Sequence, residues 1–231
     1  MTTEPQGVLQ RPTERVGAVP DRHRVILVGA TGLVGREAAQ QAADNPYIGL
    51  ACPVRQVPPD ATERHGMSEV DFDDLEASEF DWKADGIAIS LGTTMKSAGS
   101  REAFEAVDLG LVIDVARRAR EAGTPTCAVV SSINASARSG NFYLRTKGRM
   151  EEALRALGFP TLVVLRPSLL AGQRRELRIG EQLGLLAAAV FRPLVPERYR
   201  AVPADAVARA LLAGAMDRLP GERLIRSEDI R

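Results

Sequence analysis

The stretch VILVGATGLVGREAAQ constrains this chain more than any other. An uninterrupted apolar run ends at Gly29, glycines recur at Gly32 and Gly35, and apolar residues then return at helical spacing. A run of that kind fits a strand covered on both faces. The residues after it read as a helix entered through a turn too tight for side chains. Strand, glycine turn and helix in that order open a βαβ unit, whose crossover joins parallel strands.

The rest of the chain repeats the theme. RVILVG (24–29), GLACPV (49–54), GIAISLG (86–92), TCAVVSS (126–132) and TLVVLRP (161–167) are strand-like, with a short further strand before EVDFDDLE. Between them LVGREAAQQAA, SREAFEAVDLGLVIDVARRAREAG and YLRTKGRMEEALRALG carry helical periodicity. After residue 172 two more helices are expected, in GEQLGLLAAAVFRPL and in PADAVARALLAGAM, the second opened by Pro203 and Asp205. This alternation implies an α/β fold class: a single doubly wound, Rossmann-like domain with a parallel sheet and a small C-terminal helical substrate region. A length of 231 residues suits one such domain. Residues 1–22, polar and broken by Pro and Gly, are expected to form a mobile tail; residues 23–231 are the domain, with the substrate region mainly in 168–220.

Composition excludes several classes. Thirty basic side chains balance thirty acidic ones, so no broad positive field exists to gather nucleic acid. No apolar run approaches the roughly 20 residues of a membrane span, and the N-terminus lacks the apolar core of a secretory signal. A cytoplasmic location is expected. Cys52 and Cys127 each lie in an apolar run without a CxxC or Cys/His cluster, as buried reduced thiols do. His23 and His65 are isolated and show no metal-ligand spacing. The oligomeric state is not readable.

The glycine loop has a chemical use. Main-chain N–H groups in such a turn can approach a pyrophosphate at the positive end of the helix beyond it. The candidate contacts with a dinucleotide are Gly29, Thr31, Gly32, Leu33, Val34 and Gly35. At the end of the second strand an acid would bind the ribose 2′-hydroxyl of NAD, whereas an arginine accommodates the 2′-phosphate of NADP. The residue there is Arg55, which favours NADP(H) and leaves NAD(H) as the alternative. Arg36, just inside the helix, is either a second phosphate contact or a solvated arginine. Asp71 and Phe72, after the short third strand, are placed to meet the adenine through a carboxylate and a ring.

Taken together, the glycine loop, SLGTT after the fourth strand, VVSS after the fifth and Tyr143 one helical turn before Lys147 in NFYLRTKGRME resemble the short-chain dehydrogenase/reductase superfamily, over nearly the whole chain. The GATGxxG loop, LGTTMKSAGSREAFEAVDLG and VLRPSLLAGQRRELRIGE look most like its atypical branch, the Tat-interacting-protein oxidoreductase group. The resemblance implies that Tyr143 is the acid/base, that Lys147 holds the nicotinamide ribose and favours the phenolate of Tyr143, and that a serine orients the substrate oxygen. Ser132 is that serine, with Ser131 the alternative; the interval to Tyr143 is somewhat shorter than is usual in the superfamily. The physical chemistry agrees, because an ammonium beside a phenol with a pKa of about 10 eases its ionisation, and such a phenol can give its proton to a carbonyl oxygen.

The resemblance also makes Leu91, Gly92 and Thr93 contacts beneath the cofactor ribose, with Lys96 reaching either phosphate or solvent. It puts Pro167, Ser168 and Leu169 on the nicotinamide side. Arg174, Arg175 and Arg178 open the substrate loop, where guanidinium forks suit an anionic small-molecule substrate, although a basic run on a solvated loop has the same pattern. The expected activity is hydride transfer to or from a small carbonyl or alcohol. The alternatives are an NADP(H)-binding redox sensor and an enzyme like the nucleotide-sugar epimerases.

Overall fold

A computed structural model describes residues 22–171 and 196–230. Seven strands form one parallel sheet: β1 (His23–Val28), β2 (Ile48–Val54), β3 (Met67–Glu69), β4 (Gly86–Ile89), β5 (Thr126–Val130), β6 (Thr161–Arg166) and, beyond a two-residue pairing of β7 (Leu170–Ala171) with β8 (Val202–Pro203), β9 (Gly221–Arg226). Their order across the sheet is β3-β2-β1-β4-β5-β6-β9, and every neighbouring pair is parallel. This is the doubly wound, Rossmann-like arrangement expected from the sequence. Its order reverses between β1 and β4, which opens a crevice at the strands' C-terminal ends.

β1 shows why the apolar runs do not alternate with polar residues. Val25 and Leu27 enter one core together with α1 (Leu33–Ala43) and α6 (Ala204–Ala215). Ile26 and Val28 enter the other, with α4 (Val112–Glu121) and α5 (Phe142–Ala156). All four strand residues are fully buried, and each contributes about 1.5–3 kcal/mol relative to an exposed side chain.

Three features depart from expectation. The helix anticipated over residues 100–123 is divided into α3 (Arg101–Glu105), a π-helical segment (Ala106–Leu111) and α4. The helix anticipated from 203 is present as α6, but it belongs to the sheet rather than to a substrate lobe. It lies against α1 and strands β4, β5 and β6, and small residues let it approach closely. A Cβ on Gly214 would come within 3.0 Å of Val163 Cγ1, and one on Gly86 would come within 1.8 Å of the Ala215 carbonyl oxygen. The third feature is β9, an edge strand absent from the sequence reading. The anticipated N-terminal tail, Arg174, Arg175 and Arg178, and the helix around 183–191 lie outside the described residues.

Cys52 and Cys127 are free and buried; burial pushes each thiol up to about 12 from 9.0. Among the described residues no helix is long and apolar enough to cross a membrane, and no cluster of His, Cys, Asp or Glu is arranged to hold a metal.

Candidate active site

The glycine loop closes over the end of β4. Gly29 has φ +90°, and a Cβ on it would lie 2.8 Å from the Ser90 carbonyl carbon. A Cβ on Gly35 would lie 1.9 Å from the Gly29 oxygen, so α1 can start this close to β1 only with glycine there. The Gly32 N–H donates to the Gly29 oxygen at 3.0 Å, folding the turn back on itself. Gly32 caps α1, and no side chain caps it in addition. The first-turn N–H groups are thereby left for an outside acceptor, such as a phosphate at the positive helix end. Thr31 and Gly32 are exposed at the rim and Leu33 is half-buried, whereas Val34 and Gly35 are buried. A contact from Val34 is therefore a backbone contact, because its side chain is spent in the core.

One crevice edge is built from the ends of β2 and β3. The Arg55 guanidinium lies over the Phe72 ring, 5.5 Å from its centroid, so the two residues expected at opposite ends of an adenosine meet each other. Asp71 lies two residues beyond the end of β3, and its Oδ1 accepts from the Asp73 N–H at 2.9 Å. That oxygen is occupied in a turn, which leaves the other to an adenine amino group. Arg36 is exposed on α1. Lys96 sits exposed in the short α2 (Met95–Ala98).

At the reversal of strand order the chain leaves β4 as Leu91-Gly92-Thr93 and meets the π-helical segment. The Thr93 N–H donates to Asp108 Oδ2 at 2.8 Å, and Lys147 Nζ lies 2.7 Å from Asp108 Oδ1. Both side chains of this ion pair are 5% exposed or less. A Cβ on Gly92 would stand 3.4 Å from Asp108 Oδ1 and 3.9 Å from Lys147 Nζ, so glycine keeps the approach to the pair open. Despite that proximity, Oδ1 receives no aligned hydrogen bond. A buried carboxylate oxygen with spare capacity, beside an ammonium and under a glycine, fits a sugar hydroxyl well.

Asp108 was not anticipated. Its only sequence signal is an acid among the apolar residues of AVDLGL, and π-helical turns of this kind concentrate at functional sites.

Tyr143 and Lys147 both lie on α5, whose N-terminus is capped by Asn141 accepting from the Leu144 N–H at 3.1 Å. The half-buried Tyr143 ring packs 5.7 Å from Phe104 of α3, and Phe142 packs 5.8 Å from the same ring. Those contacts set where the phenol stands. The loop after β5 presses against α5 at Gly148, where a Cβ would come within 2.1 Å of the Ala137 nitrogen. The Ser136 N–H donates to the Leu144 oxygen at 3.1 Å, so the loop carrying Ser132 is tied to the helix carrying Tyr143.

The two serines now separate. Ser131 is buried and donates to Glu151 Oε1 at 2.5 Å. Glu151 in turn accepts from Arg166 Nε at 2.9 Å and, at its other oxygen, from Arg166 Nη2 at 2.6 Å. Ser131 is thus a member of a buried charge network and is withdrawn from the substrate role considered for it. Ser132 is half-buried, and among the described residues its hydroxyl makes only a long contact of 3.4 Å with the neighbouring Ile133 oxygen.

Pro167 is buried, and its oxygen accepts from the Ile133 N–H at 2.9 Å. The Ser168 N–H donates to Ser227 Oγ at 3.1 Å and its hydroxyl donates to the Arg200 oxygen; Leu169 is exposed. Of the three, Pro167 stays beside the serine loop, and Ser168 is committed to the C-terminal segment.

A seven-stranded parallel sheet with this strand order, a glycine loop at its first strand and a helix bearing Tyr143 and Lys147 after its fifth is a Rossmann-like fold that carries the motifs by which the sequence resembles the short-chain dehydrogenases/reductases. Similar solved structures share the fold: the UDP-glucuronic acid 4-epimerase from Bacillus cereus in complex with NAD has a TM-score of 0.64 at 11% identity, covering 89% of this chain and 78% of that one. The Bordetella bronchiseptica enzyme WbmG in complex with NAD has a TM-score of 0.63 at 16% identity, covering 93% and 74%. No protein-family model matches the chain.

Among curated relatives, FMP52 of Meyerozyma guilliermondii is 34% identical over 200 residues, 81% of this chain and 85% of its own length. Its Aspergillus fumigatus counterpart is 34% identical over 212 residues, 86% and 89% of the two chains. The chain belongs to the FMP52 family. Both relatives are designated mitochondrial, which overturns the expected cytoplasmic location. A neutral composition does not tell one compartment from another.

Proposed function

We propose that this protein is a nicotinamide-dinucleotide-dependent oxidoreductase that moves a hydride to or from a small carbonyl or alcohol, with NADP(H) preferred. The observation that carries the reading is the convergence of Gly92, Thr93, Asp108 and Lys147 in the crevice at the strand-order reversal, on the helix that bears Tyr143. Gly29, Gly32 and the first turn of α1 would hold the pyrophosphate, Arg55 and Phe72 the adenosine end, and Asp108 with Lys147 the nicotinamide ribose. The bound cofactor supplies or accepts the hydride.

The chain's own residues manage the proton. Ser132 donates a hydrogen bond to the substrate oxygen, and Tyr143 gives that oxygen its proton during reduction or takes it back during oxidation. Lys147, one helical turn beyond Tyr143 on α5, would hold the nicotinamide ribose. Asp108 keeps the lysine in place and partly balances it. The 2′-phosphate of NADP would meet Arg55, whose planar fork suits it; NAD(H) is the alternative, and it is the cofactor in the solved neighbours.

A second reading, an epimerase acting on a nucleotide-sugar, is favoured by neighbours solved with both NAD and a UDP-sugar, such as MoeE5 with UDP-glucose and NAD. The test is a fluorescence titration of the purified protein with NADPH and with NADH, and then a carbonyl screen using Tyr143→Phe as control. Saturable NADPH binding, with turnover lost but affinity kept in the variant, is the expected result. Binding of neither nucleotide would refute both readings. Cofactor retained through turnover with a UDP-sugar would replace the first reading by the second.

A further inference from the structure

A second polar cleft, of about 230 Å³, opens at the C-terminal ends of β6 and β9. Its wall begins with Ile133 and Asn134, the two residues directly after Ser132, and continues through Arg166, Arg198, Arg226 and Glu228. It therefore adjoins the serine of the candidate active site, on the side away from the glycine loop. Three guanidinium groups face one carboxylate there.

The three arginines differ in their ties. Arg166 is clamped by Glu151 through two hydrogen bonds of 2.9 and 2.6 Å, which fix its plane. Arg198 is stacked 4.7 Å from the Tyr199 ring centroid and forms no ion pair with an acid of the described residues. Arg226, at the end of β9, is exposed and likewise has no acidic partner among the described residues. Elsewhere on this surface arginines find acids readily, as Arg24 does with Asp81 at 2.7 Å and Arg149 with Glu105 at 2.7 Å. Two guanidiniums with no ion pair among the described residues, at a cleft that holds a single carboxylate, Glu228, leave an excess of positive charge, and their forks match a carboxylate or phosphate in two-point contact.

The loop supports the same use. Asn134, with φ 60°, is the only non-glycine residue in the left-handed region among those described. Asparagine tolerates that conformation better than most residues, and such backbones concentrate at functional sites. The turn presents the exposed Asn134 at the cleft, directly beyond Ser132. The volume is below the roughly 300–1,000 Å³ of a drug-sized pocket, so it takes a single small oxyanion group rather than a nucleotide-sugar.

We propose that this cleft seats the anionic group of the substrate, a small carbonyl or alcohol compound bearing a carboxylate or phosphate, with Arg226 and Arg198 as the contacts and Arg166 as the fixed floor. The proposal rests on the oxidoreductase reading above and names its substrate class. The experiment tracks the thermal unfolding midpoint of the full chain titrated with inorganic phosphate and, separately, with acetate, at constant ionic strength set by sodium chloride. The same titrations are run on Arg226→Gln and Arg198→Gln, with circular dichroism to confirm that each variant is folded and NADPH fluorescence measured on every sample.

The expected result is a saturable rise in midpoint with at least one anion, whose half-point moves about tenfold or more in Arg226→Gln while NADPH affinity is unchanged. Saturation by phosphate alone assigns a phosphate-bearing substrate, and saturation by acetate alone a carboxylate. NADPH binding without any saturable anion effect, or an anion effect equal in wild type and both variants, overturns the site. Arginine-dependent anion binding in a protein that binds neither nucleotide supports the anion site and overturns the oxidoreductase reading beneath it.

Discussion

Replacing Asp108 with alanine isolates the pair at the centre of the candidate site. The Asp108 and Lys147 side chains are 1% and 5% exposed and lie 2.7 Å apart, so removing the carboxylate leaves a buried lysine charge without its counter-ion. Breaking a buried pair in this way costs about 3–5 kcal/mol. The Thr93 N–H loses its acceptor at 2.8 Å in the same step, which places the effect in the upper part of that range. For a domain of this size each kcal/mol lowers the unfolding midpoint by roughly 2–4 °C, so a fall of about 8–20 °C is expected by calorimetry. Lys147→Met removes the opposite partner, and the double variant tests whether the two act as a unit. If they do, it will be more stable than the sum of the single effects implies, because the unpaired charge is gone. NADPH affinity should fall in every variant lacking Lys147. An Asp108→Ala cost under about 1 kcal/mol, or strict additivity in the cycle, would refute the compensated buried pair.

Ser131→Ala and Ser132→Ala should separate stability from turnover once a substrate is in hand. The first removes a donor to buried Glu151 and costs about 1–3 kcal/mol with kcat retained, whereas the second leaves the midpoint nearly unchanged and lowers kcat. Hydrogen bonds from the Arg155 guanidinium hold the Glu222 carboxyl below its ordinary 4.5, so its contribution to stability is present above pH 4.5 and is lost as pH falls through the lower folded-state value. The urea midpoint difference between wild type and Glu222→Gln should therefore be flat from pH 8 to about 5.5 and shrink below 4.5, with a small amplitude because the pair is partly solvated. With both thiols pushed up to about 12 by burial, Cys52 and Cys127 should resist a thiol reagent at pH 8 until the protein unfolds, and rapid labelling of the native protein would contradict their placement.

The legibility of each element in the sequence depends on where its interactions originate. β1, its glycine turn and α1 were legible because each is decided within a few residues: Val25 to Val28 must be covered on both faces, and Gly35 admits no side chain beside the Gly29 oxygen. β9 was not, since GERLIR is an edge strand with mostly exposed side chains; its place comes from pairing with β6, residue Thr161 opposite Gly221. α6 was found as a helix and counted in the C-terminal substrate region, because its apolar stripe says only that it packs, whereas Gly214 and Gly86 determine what it packs on.

The site divides the same way. Tyr143 and Lys147 stand one turn apart on a single helix, and local spacing reveals them. Asp108, carried by the π-helical segment, meets Lys147 from a distant part of the chain, and Ser131 leaves the candidate list only because Glu151 comes within 2.5 Å of it. A pattern along the chain therefore identifies the residues that can do chemistry, whereas the partners that hold them in position come from elements far apart in sequence. For this reason the double-variant cycle on Asp108 and Lys147 probes the site more deeply than any substitution of the motif residues alone.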